Sequence, residues 1–101
     1  MIDVQEDAST FTIKITESSL ESANAGKLKA ELKALTIGKD KSVRLDVSQV
    51  EFIDSSGIGA LLSLYKEVQQ SGSTMVIAGA TPGFMSVIEL LRLHQILSFE
   101  S

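Results

Sequence analysis

Apolar and polar residues alternate at both ends of the first fifteen positions. Ile2 and Val4, then Phe11, Ile13 and Ile15, each sit between polar neighbours, the period-two pattern of half-buried strands. Glu6-Asp7-Ala8-Ser9 lies between them and suits a turn, so a hairpin is predicted. The spacing then changes to that of a helix, with Ala25, Leu28, Leu32 and Leu35 recurring at intervals of three and four. Ser22 or Asn24 is placed to cap this helix and Gly38 to end it. Val43, Leu45 and Val47 alternate again as a strand. Ile58, Leu61 or Leu62, Tyr65 and Val68 form a second helical face running to Gly72. Met75-Val76-Ile77-Ala78 is a short continuous apolar run and reads as a strand buried on both faces. Thr81-Pro82 opens a third helix as N-cap and first helical residue, with Phe84, Val87, Ile88 and Leu91 on its apolar side. Leu93 to Phe99 fits either a short helix or an edge strand.

The order β-β-α-β-α-β-α predicts an α/β fold in which strands joined by helices pair in parallel. The sheet is expected to be small and mixed, of about four strands, with helices packed mainly on one side. At 101 residues the chain suits one domain spanning residues 1–101. Composition narrows its chemistry. Cysteine is absent, so disulfide frameworks and thiolate metal sites are excluded. No apolar run approaches the roughly 20 residues that span a bilayer, and the acidic start (Asp3, Glu6, Asp7) lacks the basic region of a signal peptide. A cytoplasmic protein with no membrane contact is expected. Net charge is −4 and the isoelectric point near 4.8. Lys27, Lys29, Lys33, Lys39 and Lys41 form the one basic cluster, interleaved with Glu31 and Asp40, and read as a solvated face. Nucleic-acid binding is not expected. No long apolar seam is left over, which favours a monomer.

The chemistry concentrates in Asp54-Ser55-Ser56-Gly57-Ile58-Gly59. Two hydroxyls stand where the apolar run Val50, Phe52, Ile53 gives way to the second helix. Free N–H groups and the helix dipole favour negative charge there. A nucleophile elbow needs glycine two residues before and after its serine. Position 53 is Ile, and Ser56 is flanked at that spacing by Asp54 and Ile58. The single histidine, His94, lies far along the chain. Gly57 and Gly59 lack the third glycine of a dinucleotide fingerprint, and Gly79-Ala80-Thr81-Pro82-Gly83 lacks the Gly-Lys-Ser/Thr of a P-loop. The carboxylates Glu17, Glu21, Asp46, Glu51 and Asp54 have no metal-ligand spacing. The chain is therefore not read as an enzyme and no cofactor is expected. The serines remain, either as helix caps or as a site where a phosphate is well housed.

Residues 47–62, from Val47 through Asp54-Ser55-Ser56-Gly57-Ile58-Gly59 to Leu62, resemble the signature of bacterial anti-sigma-factor antagonists, the STAS domains. Tyr65-Lys66, the Met75–Gly79 strand and the Phe84, Ile88, Leu91 helix also fit, so the resemblance spans essentially the whole chain. Leu20-Glu21 falls where the family often has Leu-Asp, with an acid one methylene longer. The resemblance implies a partner switch. The unphosphorylated domain binds an anti-sigma factor that is also a serine kinase of the histidine-kinase-like ATPase fold, and so frees that partner's client. Phosphorylation with ATP and magnesium breaks the complex, and a PP2C-type phosphatase restores it. The resemblance maps the acceptor to Ser56, directly before the glycine. It implies a partner surface of Glu21, Ser22, Asn24, Asp54, Ser55, Ser56, Gly57, Ile58 and Gly59, completed by the exposed side of the second helix. STAS domains also serve as parts of anion transporters and as small partners of lipid-transport ATPases, which is the alternative use.

Overall fold

A computed structural model describes residues 1–38 and 40–100. Strand β1 (Ile2–Glu6) and strand β2 (Thr10–Ile15) form the predicted hairpin, antiparallel with Ile2 opposite Ile15 and Glu6 opposite Phe11. The Asp7 carboxylate closes the turn by accepting the N–H groups of Ser9 at 2.9 Å and Thr10 at 2.7 Å. Strand β3 (Ser19–Leu20), helix α1 (Ser22–Lys33), strand β4 (Ser42–Asp46) and strand β5 (Phe52–Ile53) follow. Helix α2 (Ser55–Gln70), strand β6 (Thr74–Ala78), helix α3 (Pro82–Leu90), a 3-10 turn at Leu93–Gln95 and strand β7 (Ser98–Phe99) complete the chain. The tail is thus a short helical turn and an edge strand in succession.

The main sheet has five strands in the order β1-β2-β4-β6-β7, one more than expected because the tail adds β7. Only the β1–β2 pairing is antiparallel, as helix-linked strands require. Side-chain alternation sorts the sheet into two faces. Phe11, Val43 and Met75 form one cross-strand row and Ile13, Leu45 and Ile77 the next, all buried under the helices. Thr12, Arg44, Val76 and Ser98 form a row on the opposite face, which the helices leave open. On this side of β6 Thr74 is exposed, Val76 half-buried and Ala78 buried, so the strand falls short of the burial on both faces that its continuous apolar run predicts. Asp3, Gln5, Thr12, Lys14, Arg44 and Asp46 line a shallow polar hollow on this open side.

Ala25, Leu28 and Leu32 carry α1 onto the core as predicted, but the helix ends at the Ala34 cap, ahead of Gly38. The basic cluster is divided. Lys27, Lys29 and Lys33 are exposed on α1, whereas Lys41 pairs with Glu6 and donates to the Asp7 carbonyl; Lys39 lies outside the described residues. Arg44 donates to both carboxylate oxygens of Glu100, at 2.8 and 3.0 Å, tying β4 to the chain end beyond β7.

These contacts predict an acid response. The backbone N–H groups of Ser9 and Thr10 hold the Asp7 carboxyl below its ordinary value of 3.8, and hydrogen bonding to Arg44 holds Glu100 below 4.5. Groups with lowered native pKa contribute stability above their unfolded values and lose it as pH falls through the native ones. Thermal melts are expected to be level from pH 7 to about 5 and to fall below about pH 4. A melting temperature that rises on acidification overturns this.

Candidate functional site

After β2 and β4 the chain leaves the main sheet, and the two-residue strands β3 and β5 pair with each other in parallel. Ser19 stands opposite Phe52, and Leu20 opposite Ile53. Leu20 and Ile53 are buried beneath this ribbon. The Ser18 carbonyl accepts the N–H groups of Glu51 at 2.8 Å and Phe52 at 3.1 Å, and the Leu20 carbonyl accepts that of Asp54 at 3.0 Å. Each short strand runs straight into a helix, with Glu21 as the N-cap of α1 and Asp54 as the N-cap of α2. Parallel pairing therefore sets two helix N-termini side by side, each headed by an acid.

At α2 the Asp54 carboxylate does the capping. One oxygen accepts the Ser56 N–H at 2.8 Å and the Gly57 N–H at 3.1 Å. Ser55 and Ser56 are consequently not caps. Both are exposed, and among the described residues neither hydroxyl makes a hydrogen bond. The Ser55 N–H likewise has no acceptor among them, leaving an open donor at the helix start. Gly57 is buried. A Cβ there would lie 2.8 Å from Ile53 Cγ1 and 2.9 Å from Leu20 Cβ, so its bareness seats the first turn on the ribbon. Gly59 differs from Gly57 in its surroundings. It faces solvent with nothing within 4 Å of a notional Cβ. Ile58 is buried in the core, which removes its side chain from a docking surface.

At α1 neither Ser22 nor Asn24 is the cap. Glu21 takes that position, because the Asn24 Oδ1 three residues on accepts the Glu21 N–H at 2.9 Å. Asn24 also donates to the Ser19 carbonyl at 2.8 Å, and the Ser19 hydroxyl donates to Glu21 Oε2 at 3.1 Å. Glu21 and Asn24 are thus half-buried and held in a local network, while Ser22 is exposed. The structure brings both predicted stretches together at one end of the molecule. His94 is exposed in the 3-10 turn. Sequence reasoning missed Phe52, read there only as part of an apolar run. Phe52 is 52% exposed, whereas Ile53 is 1% exposed. Strand alternation carried the signal, since adjacent apolar residues in a strand cannot both face inward.

Replacing Asp54 by Ala is expected to cost about 1–2 kcal/mol by orphaning two N–H groups. A urea titration showing an unchanged midpoint overturns the capping role.

Residues 2–98 match the family described as "Mlab, STAS domain". The chain is similar to the anti-sigma-B factor antagonist of Listeria monocytogenes, with 21% identity covering 99% of this chain and 88% of the relative. Among solved structures, an anti-sigma-factor antagonist (STAS) domain protein from Planctomyces limnophilus aligns with a TM-score of 0.85. That alignment has 18% identity and covers 99% of this chain and 88% of the other. A sulfate transporter family protein from Wolinella succinogenes aligns with a TM-score of 0.76 at 18% identity, covering 92% and 78% respectively. Fold and family agree over nearly the full length, and the chain belongs to the STAS domain family.

Proposed function

We propose that this chain is an anti-sigma-factor antagonist that works as a phosphorylation-controlled partner switch in the bacterial cytoplasm. The observation that carries the reading is the Asp54-capped start of α2. It displays two exposed hydroxyls that the fold does not use. In the unphosphorylated form, this turn and the adjoining start of α1 dock on an anti-sigma factor that is also a serine kinase of the ATPase fold, and its client is released. The kinase then transfers the γ-phosphoryl group of ATP. A serine Oγ–P bond forms, the β–γ P–O bond breaks, ADP leaves and the hydroxyl proton is lost. A phosphoserine carries about −1.5 to −2 charges. It arises next to Asp54 in a surface that docking must strip of water, so the complex dissociates. The fold survives because the capping bonds run to Asp54 and not to a serine. Hydrolysis by a PP2C-type phosphatase restores the hydroxyl.

The resemblance names Ser56 as acceptor, and the geometry gives Ser55 a comparable claim, since it is equally exposed and has the open N–H. The test is to incubate the chain with ATP, magnesium and a purified serine kinase of the ATPase fold from the same organism, then map the phosphopeptide. Phosphate on Ser56 supports the full assignment. Phosphate on Ser55 keeps the switch and moves its acceptor, and phosphate on neither overturns the switch. The likeness to a sulfate transporter family protein favours a second reading, an accessory subunit of a transport system. Co-purification with a transport ATPase, joined to absence of phosphorylation, selects that reading.

A further inference from the structure

Phe52 has no part in the core, although Val50 and Ile53 on either side of it are buried. Its cross-strand neighbour Ser19 shares the outer face of the β3–β5 ribbon, and the Ser19 hydroxyl donates to Glu21 at the head of α1. Two residues beyond Phe52, Asp54 heads α2. Phe52 therefore lies on the ribbon that leads into both helix starts, two residues before the cap of α2. The segments that build this end, residues 16–24, 48–59 and 79–86, contain Glu17, Glu21, Glu51 and Asp54 and no lysine, arginine or histidine. An exposed aromatic framed by acids alone calls for an apolar socket with a basic rim. A second copy of this chain would bring four acids against four under two-fold symmetry. An anionic lipid surface is disfavoured by the same charge.

We propose that Phe52 is the apolar anchor with which this end of the molecule seats in a socket of its protein partner lined by apolar side chains and rimmed by Lys or Arg. The inference rests on the reading that this end docks a protein. It adds the residue that holds the complex and the character of the surface that receives it. A phosphate on Ser55 or Ser56 acts beyond Asp54, over the bare Gly59 turn, where its bulk and hydration shell hold the partner away.

The probe is a purified serine kinase of the histidine-kinase-like ATPase fold from the same organism, titrated calorimetrically with the wild-type chain at low and high salt. Phe52→Ala and Phe52→Lys follow, each checked by circular dichroism. Folded Phe52→Ala is expected to bind about 30-fold more weakly, the loss typical of a truncated aromatic anchor. Phe52→Lys, which also sets a cation among the acids, is expected to lose at least as much. Wild-type affinity is expected to fall with added salt. Wild-type affinity in either folded variant, or affinity indifferent to salt, overturns the anchor while leaving the docking reading intact. Failure of the wild-type chain to bind overturns the docking reading and the anchor with it.

Discussion

Ser56→Asp is expected to lower affinity for the ATPase-fold partner by about 100-fold, a difference of about 2.7 kcal/mol, while Ser56→Ala binds as wild type. The size follows from placing a fixed charge in a surface that binding desolvates, next to an acid already there. The fold is expected to tolerate it. Ser56 Oγ makes no hydrogen bond among the described residues, and the capping contacts of 2.8 and 3.1 Å run from backbone N–H groups to Asp54. A carboxylate in the first turn gains about 0.3–1 kcal/mol from the helix dipole, and repulsion from Asp54 offsets an amount of that order. The melting temperature should therefore move by only a few degrees. Calorimetric titration and circular dichroism on the same samples check both halves. A Ser56→Asp chain that is unfolded removes the claim that the switch acts at the interface alone. One that is folded and binds as wild type returns the acceptor role to Ser55, where the same pair of substitutions is the control.

The parts of this fold that follow from periodicity were legible. Phe11, Ile13, Val43, Leu45, Met75 and Ile77 lie in two cross-strand rows, because odd positions along each strand face the helices. Thr81-Pro82 opens α3 because a hydroxyl acceptor and a residue without N–H suit the two positions in turn. What escaped depends on tertiary pairing. Two-residue strands leave too short a pattern to register, so the β3–β5 ribbon is not legible, and without it the alternation of Phe52 and Ile53 does not say which of the two turns outward. The α1 cap was assigned to the better intrinsic cappers, Ser22 or Asn24. The ribbon instead fixes Glu21 at the cap position, with Asn24 reaching back to it. Gly38 suits a helix end by its chemistry, yet α1 stops at Ala34, before the linker to β4. At the site, Asp54-Ser55-Ser56-Gly57 was recognisable from its residues. The division of labour within it, one capping acid and two idle hydroxyls, needed coordinates.

Gly83→Ala is expected to destabilise the chain by about 3 kcal/mol or more, because its Cβ has nowhere to go. That atom would run into the Glu51 carbonyl oxygen. A flexible side chain could rotate away from such an overlap, but this obstacle is backbone and is held from two directions. The Glu51 N–H donates to the Ser18 carbonyl at 2.8 Å, and the Thr81 hydroxyl donates to the Val50 carbonyl at 2.5 Å. Relief requires the first turn of α3 to lift, which opens the packing around the fully buried Phe84. For a domain of this size the melting temperature should drop by about 12–24 °C. Gly59→Ala is the matched contrast. It sits in open space in an exposed helix, so removing glycine there should stabilise the chain by about 0.5–1 kcal/mol. Urea unfolding of both variants measures the difference directly. A Gly83→Ala chain as stable as wild type would mean that the first turn of α3 does not pack against the Glu51 carbonyl. The same substitution reaches the candidate site. Glu51 leads directly into Phe52 and Asp54, so a displaced Glu51 carbonyl moves the aromatic and the cap together. Gly83→Ala, where still folded, is therefore expected to weaken partner binding from a position outside the docking surface.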